Sequence, residues 1–229
     1  MFDLGYCRDM SEEWAWQPSL FGGGGDHEAV PPSVDASFAG LRRHRLDESA
    51  WVDVVPAWVS GSDALFARLL AGTPWRGHRV RMYERSLPEP RLTHRWSADG
   101  PLPDPVLGEM ARLLSGRYGV RFTQVGANLY RDGRDSVAWH GDRVARELPS
   151  AVVGLVSLGA ARPFRLRPVG GGASVGFLPG PGDLLVMGGS CQRAWQHAVP
   201  KVRAVAPRIS VQFRHAYPTG PEAGRREPR

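Results

Sequence analysis

Lysine is almost absent from this chain: Lys201 is the only one among 29 basic side chains, so arginine carries nearly all the positive charge. Cysteine is scarce too. Cys7 and Cys191 stand far apart and outside any paired pattern, which argues against a disulfide framework and fits a reduced, cytoplasmic compartment. No run of 18 apolar residues occurs, so no membrane span is expected. The first residues, Met1 to Gly5, lack a basic segment followed by an apolar one, and no signal peptide is expected from them. Carboxylates are outnumbered 23 to 29, leaving a net charge of +6 and a pI near 10.0. That balance suits a polyanionic partner, although the preference for arginine over lysine says little about binding by itself.

What is present suits one domain. A chain of 229 residues with 42% hydrophobic content and eight tryptophans can bury a substantial core. Residues 1–40 read as an irregular, partly ordered extension, because Gly22 to Gly25 and Pro31-Pro32 interrupt any regular element. Residues 41–217 read as the folded domain, and 218–229 as a disordered polar tail. Inside the domain, Trp51 to Val55 has the pattern of a strand. Ser62 is placed to cap a helix reaching about Ala71, with Leu65, Phe66, Leu69 and Leu70 as its buried stripe. A second helix is expected from Asp104-Pro105, with Val106, Met110, Leu113 and Leu114 facing inward and Ser115-Gly116 at its end. From Phe122 onward short strands follow one another: 122–130, 151–158, 163–167, 173–178, 183–187 and 208–215. Two helices followed by such a series predict an α+β fold, a jelly roll with N-terminal helices packed on one sheet.

The chemistry concentrates in Trp139-His140-Gly141-Asp142. On an extended strand His140 and Asp142, two apart, present an imidazole and a carboxylate on the same side. His197 supplies a third donor downstream. Two histidines and a carboxylate can take one face of an octahedron, the facial triad of non-haem Fe(II) oxygenases. A surface ion pair plus a core histidine would leave the same residues in the sequence. Further on, Arg208, Ser210, Gln212 and Arg214 alternate with Ile209, Val211 and Phe213, giving one polar and one dry strand face. Two guanidinium groups on that polar face can clamp a dicarboxylate through paired hydrogen bonds. Trp139, next to the first histidine, is expected to point away from it into the core.

Together Asn128-x-Tyr130, His140-x-Asp142, His197 and Arg208-x-Ser210-x-x-x-Arg214 resemble, in this order, the motifs of the AlkB family of Fe(II)/2-oxoglutarate dioxygenases, over about Leu46 to His215. The resemblance implies a double-stranded β-helix with Fe(II) near one open end, held by His140, Asp142 and His197. It implies that Arg208 pairs the distal carboxylate of 2-oxoglutarate while Arg214, Asn128 and Tyr130 steady the co-substrate, and that dioxygen is the oxidant. It further implies oxidative demethylation of N-alkylated nucleobases in DNA or RNA, a direct reversal of alkylation damage, by a monomer. A 2-oxoglutarate-dependent hydroxylase of a small molecule or protein side chain is the alternative. The family's nucleotide-recognition lid corresponds to residues 74–97, where arginines interleave with aromatics as phosphate contacts and stacking groups would. Arg81, Tyr83 and Arg91 are the substrate candidates there, with Arg143 beyond the first ligand pair. A basic edge hairpin would give that segment the same composition. Val144 stands where nucleic-acid-repairing relatives commonly carry an acidic residue, and Gly141 offers the pocket no side chain.

Overall fold

The structure, a computed structural model, describes residues 30–82, 85–142 and 148–215, with side chains described outside 80–88. Tyr83, Arg143, Val144, most of the expected N-terminal extension and the tail lie outside the described residues. The chain enters through β1 (Ser33–Val34), β2 (Arg42–Arg45), β3 (Ala50–Val55) and β4 (Val59–Ser60). Helix α1 (Ser62–Gly72), the hairpin β5 (Arg76–Met82) and β6 (Arg85–Ser97), and helix α2 (Pro105–Tyr118) follow. Eight strands make up the remainder: β7 (Phe122–Tyr130), β8 (Val137–His140), β9 (Val153–Gly159), β10 (Phe164–Pro168), β11 (Val175–Phe177), β12 (Leu184–Gly189), β13 (Trp195–Val199) and β14 (Arg208–His215). The single turn of helix α3 (Cys191–Ala194) lies between β12 and β13.

These last strands alternate between two sheets. The larger has the order β2-β3-β12-β9-β14-β7-β6-β5 and the smaller β11-β10-β13-β8. Apart from β10 and β11, which pair with each other, successive strands therefore cross from one sheet to the other, and strands remote in sequence, such as β8 and β13, become hydrogen-bonded neighbours. This is the expected double-stranded β-helix, a jelly roll.

The strand β14 shows how the pattern sorts the layers. Its dry residues Ile209, Val211 and Phe213 are fully buried against Leu65 and Leu69 of α1 and Val106, Leu107, Met110 and Leu114 of α2. Fully burying each such side chain stabilises the fold by roughly 1.5–3 kcal/mol, which holds both helices on one face of the larger sheet. The opposite face looks into the roll and changes character across its width. On β3, β12 and β9 it is apolar, with Val52, Leu185, Met187, Val153 and Leu155 packed on Phe164, Leu166 and Trp195. On β14 and β7 it carries Arg208, Ser210, Gln212, Arg214, Asn128 and Tyr130.

Local details correct several sequence expectations. Gly61, not Ser62, caps α1: it sits at φ 63, and no side-chain cap bond forms. A side chain at Gly61 would collide with the backbone of Val30 and Pro31. Leu70 is exposed instead of joining the buried stripe. Asp104 caps α2 by accepting from the Val106 N–H at 3.0 Å, as its position before Pro105 predicts. That helix runs past Ser115-Gly116 to Tyr118, because Ser115 turns its hydroxyl back to the Ala111 carbonyl and Gly119 takes the left-handed cap. Trp139 faces outward beneath the Arg167 guanidinium, 4.3 Å from its ring centre, and not into the core. Trp75 and Trp96 pack against the helix-side core, leaving neither as a stacking surface on the inner face. Among the described residues no helix is long and apolar enough to cross a membrane.

Candidate active site

His140 on β8 and His197 on β13 are direct register partners, and their ring centres lie 4.2 Å apart. The topology thus brings together two residues that the sequence separates widely. Each ring is held by a different device. The Nδ1–H of neutral His140 donates to the Ala138 carbonyl at 2.8 Å, which leaves Nε2 with its lone pair. His197 is clamped by stacking on Phe164, with centres 5.4 Å apart. Burial pushes the His140 imidazole below its ordinary range. It pushes His197 down to about 3, with His140 adding to the effect and Asp142 opposing it. Two neutral imidazoles result, the protonation state metal ligation needs.

Asp142 completes the group from the turn after β8. Burial raises its carboxyl pKa, but the charge and hydrogen bond of Arg214, with smaller contributions from both histidines, outweigh that and hold it below the usual carboxylate range. Arg214 Nε donates to Asp142 Oδ2 at 2.7 Å and its Nη2 to Oδ1 at 3.3 Å. The Asp142 N–H donates to Oε1 of the buried Gln192 in α3, whose Nε2 reaches the Met187 sulfur. Among the described residues no three His, Cys, Asp or Glu side chains stand in a ready-made metal-holding group. In the arrangement seen, both Asp142 oxygens accept from Arg214, while the carboxylate lies near enough to both histidines for each to help lower its pKa.

The anion side of the site is built on β14, β7 and β9. Arg208 is completely buried, and its Nε donates to Ser157 Oγ at 2.9 Å. Among the described residues its Nη1 and Nη2 have no hydrogen-bond partner of good geometry, and the Tyr130 hydroxyl is the polar group that still favours its charge. Burial pulls this guanidinium down to about 10, an uncommon state for a group that ordinarily stays charged. A buried cation with an unfilled fork is costly unless a carboxylate meets it, and a planar bidentate partner is what the geometry accepts. Arg208 lies 5.4 Å from the Tyr130 ring centre, and Tyr130 is its register partner on β7. Asn128 opposes Ser210 on the same face. A Cβ at Gly126, between them and Arg214, would come within 3.3 Å of the Gln212 side-chain oxygen, so glycine keeps this stretch of the wall low. The donors present thus fit a divalent metal beside a dicarboxylate: neutral imidazoles and one carboxylate on one side, an unsatisfied guanidinium on the other.

Arg214 is the sequence candidate whose surroundings differ most from expectation, since its partner is Asp142. Of the substrate candidates, Arg91 is brought near the site: its charge contributes to lowering both histidines. It pairs with Glu89 at 3.3 Å, and its Nε is buried without a hydrogen-bond partner. Arg81 has a described backbone, opposite Ser86 in the hairpin. The 74–97 segment forms a hairpin at the sheet edge, with Thr93 opposite Asn128 and Arg95 opposite Gly126. Sequence reasoning passed over Ser157, Gln192, Phe164 and Arg162. Ser157 had a signal, as the lone hydroxyl in the apolar run of β9; Arg162 had none.

A model of the 2OG-Fe(II) oxygenase superfamily matches residues 99–216. The alpha-ketoglutarate-dependent dioxygenase alkB homolog 3 of Rattus norvegicus is 31% identical over 69% of this chain and 60% of its own length. The human protein of that name is 30% identical over 70% and 63%. The human DNA oxidative demethylase ALKBH2 is 29% identical over 60% and 57%. The chain spans about three fifths of the length of these curated relatives. Among solved structures, a 2OG-Fe(II) oxygenase family oxidoreductase from Burkholderia pseudomallei is similar with TM-score 0.53 at 17% identity, over 72% of this chain and 84% of the other. The structure of OsALKBH1 is similar with TM-score 0.52 at 14% identity, over 76% and 100%; both likenesses speak to the fold alone. With the motif order, the alternating strands and the superfamily match in agreement, the chain belongs to the 2OG-Fe(II) oxygenase superfamily and is similar to its AlkB homologs.

Proposed function

We propose that this chain oxidatively removes alkyl groups from nucleobase nitrogens in DNA or RNA, with His140, Asp142 and His197 holding Fe(II) and Arg208 holding 2-oxoglutarate. The observation that carries the reading is the buried Arg208 fork, both Nη atoms without a well-placed partner among the described residues, on the polar inner wall of the larger sheet, with the paired histidine rings on the smaller sheet. The Ser157 hydroxyl accepts from the Arg208 Nε–H and donates to the Pro179 carbonyl at 3.3 Å, so both terminal nitrogens remain available to a carboxylate. Tyr130 and Asn128 flank that position. Ala138 and Phe164 fix the two rings before a metal arrives, and the apolar half of the interior keeps bulk water away from them. When bound, Fe(II), 2-oxoglutarate and dioxygen supply the hydroxylation of a C–H bond on the alkyl group, and the hydroxymethyl product of an N-methyl base sheds formaldehyde.

A nucleic acid substrate is supported by the similarity to relatives named DNA oxidative demethylases, by the net charge of +6, and by the exposed Arg76 and Arg95 on the edge hairpin. A single chain carries every proposed ligand, so a monomer suffices, and the two scattered cysteines fit a cytoplasmic setting. The test is turnover with single-stranded DNA bearing 1-methyladenine or 3-methylcytosine. Formaldehyde release coupled to 2-oxoglutarate consumption, absent with unmodified DNA, is the expected result. Consumption of 2-oxoglutarate without formaldehyde from any methylated DNA or RNA would transfer the chain to the hydroxylases of small molecules or protein side chains.

A further inference from the structure

Arg162 is among the largest completely buried side chains of the protein, and nothing in the proposed chemistry uses it. It occupies the link between β9 and β10, and its terminal nitrogens donate only to backbone carbonyls. Nη1 reaches Asp132 at 2.9 Å, while Nη2 reaches Asp135 at 2.8 Å and Pro200 at 2.9 Å. The first two acceptors belong to the turn between β7 and β8, directly after Tyr130 and shortly before His140. The third lies at the exit of β13, three residues past His197. One guanidinium therefore pins together the two segments that carry the candidate ligands. Its centre lies 5.6 Å from the Tyr130 ring, and that of Arg208 lies 5.4 Å from the same ring.

The arrangement is expensive. Burial lowers the Arg162 pKa, the nearby Arg208 charge is repelled by it, and its Nε has no hydrogen-bond partner. Three neutral carbonyls offset a buried cation less well than a carboxylate does. The Asp135 carboxylate is not available for the task. It serves Arg131, accepting from Nε at 2.8 Å and Nη2 at 2.9 Å as well as from the Arg131 backbone N–H. The turn is thus held from inside by Arg162 and from outside by the Arg131–Asp135 pair.

We infer that Arg162 is a positioning residue for the co-substrate: it locks the turn after β7 so that Tyr130 stays wedged between two guanidinium groups and Arg208 keeps its fork aimed at the ligand carboxylate. This inference rests on the reading of Arg208 as the 2-oxoglutarate anchor. It predicts an effect on co-substrate affinity transmitted through Tyr130, with metal affinity nearly unchanged, because His140 and His197 have their own supports in Ala138 and Phe164.

The experiment is equilibrium binding of 2-oxoglutarate to the full chain loaded with Mn(II) in place of Fe(II), with Mn(II) affinity measured separately. The variants are Arg162→Met, Arg162→Lys, Tyr130→Phe and the double variant Arg162→Lys/Tyr130→Phe. Arg162→Met is expected to weaken 2-oxoglutarate binding by about tenfold or more, the scale on which small misplacements act. Arg162→Lys, which keeps the charge and donors, should recover part of the loss, and Mn(II) affinity should stay within about threefold of wild type. In the double variant the two losses should be less than multiplicative, since both act on one contact. Multiplicative losses, or Mn(II) and 2-oxoglutarate affinities falling together, would overturn the inference in favour of a general structural role. Failure of both Arg162 variants to fold would do the same. Wild-type protein that binds Mn(II) but no 2-oxoglutarate would instead overturn the co-substrate reading of Arg208, a result obtained before any variant is compared.

Discussion

Arg214 sets its Nε 2.7 Å from Oδ2 of Asp142, so the last strand of the roll grips the turn that follows the first histidine. The side chain proposed to complete the metal triad is thereby oriented by a cation on the opposite sheet. Groups that orient a ligand from behind commonly change metal affinity by about 10–100-fold when removed. Arg214→Met is expected to weaken metal binding on that scale, measured by anaerobic Fe(II) or Mn(II) titration. Unaltered metal affinity with weakened 2-oxoglutarate binding would return Arg214 to the role of a direct co-substrate contact.

Replacing His140, Asp142 or His197 by Ala should abolish iron-dependent turnover while leaving the fold intact, as read by circular dichroism. Asp142 decides the matter most sharply, because among the described residues it is the carboxylate whose charge acts on both rings. Undiminished turnover by Asp142→Ala would exclude the triad.

Arg208→Met separates binding from stability. Leaving a ligand carboxylate without its buried partner typically costs about 2–5 kcal/mol, so 2-oxoglutarate affinity should collapse while metal binding persists. The ligand-free protein should respond in the opposite direction. Exchanging a fully buried cation that has only Ser157 and the Tyr130 hydroxyl to offset it among the described residues for an apolar side chain removes a poorly compensated desolvation cost, and its melting temperature should hold or rise. A large fall in the melting temperature of ligand-free Arg208→Met would show that the fork is already satisfied in the empty protein.

Salt dependence tests the nucleic acid reading. If Arg76 and Arg95 both neutralise phosphates of single-stranded DNA, binding should weaken by about 0.7 log unit per log unit of salt for each contact. Replacing both by Gln should flatten the slope by about 1.4. A slope indifferent to this pair, but equally sensitive to arginines elsewhere on the surface, would leave only generic attraction to a basic protein.

Cys191 gives a pH prediction. Its thiol is buried in α3, and burial, with a smaller effect of Asp47, pushes it from 9.0 up to about 12. At pH 8 the native protein should resist iodoacetamide at this site and react only after unfolding. A pKa raised by folding stabilises the protein below the unfolded value, so this contribution is complete below pH 9 and is lost as pH rises toward 12. Fast native alkylation at pH 8 would contradict the burial.

The order of chemistry along the chain was determined by sequence alone. His140 and Asp142 two apart, the alternation of Arg208 to Arg214, and the strand series after Phe122 are periodicities that the backbone enforces locally; they sufficed to indicate the jelly roll, while the proposed donor set came with the family resemblance. Convergence of the donors was decided by tertiary structure. His197 meets His140 because strands that alternate between sheets pair β13 with β8, a consequence of the whole topology and of no local pattern. The same holds for the site's supports. Ser157, Gln192 and Arg162 act through backbone atoms and side chains distant in sequence, and no periodicity marks a residue whose partners are carbonyls on other loops. The aromatic-basic segment shows the limit from the other side: composition suggested stacking surfaces, but the strand pleat turned Trp96 toward the helices and left Arg95 on the opposite face. Which face a side chain takes depends on the register with β7, and register is set only when the sheet assembles around its buried side.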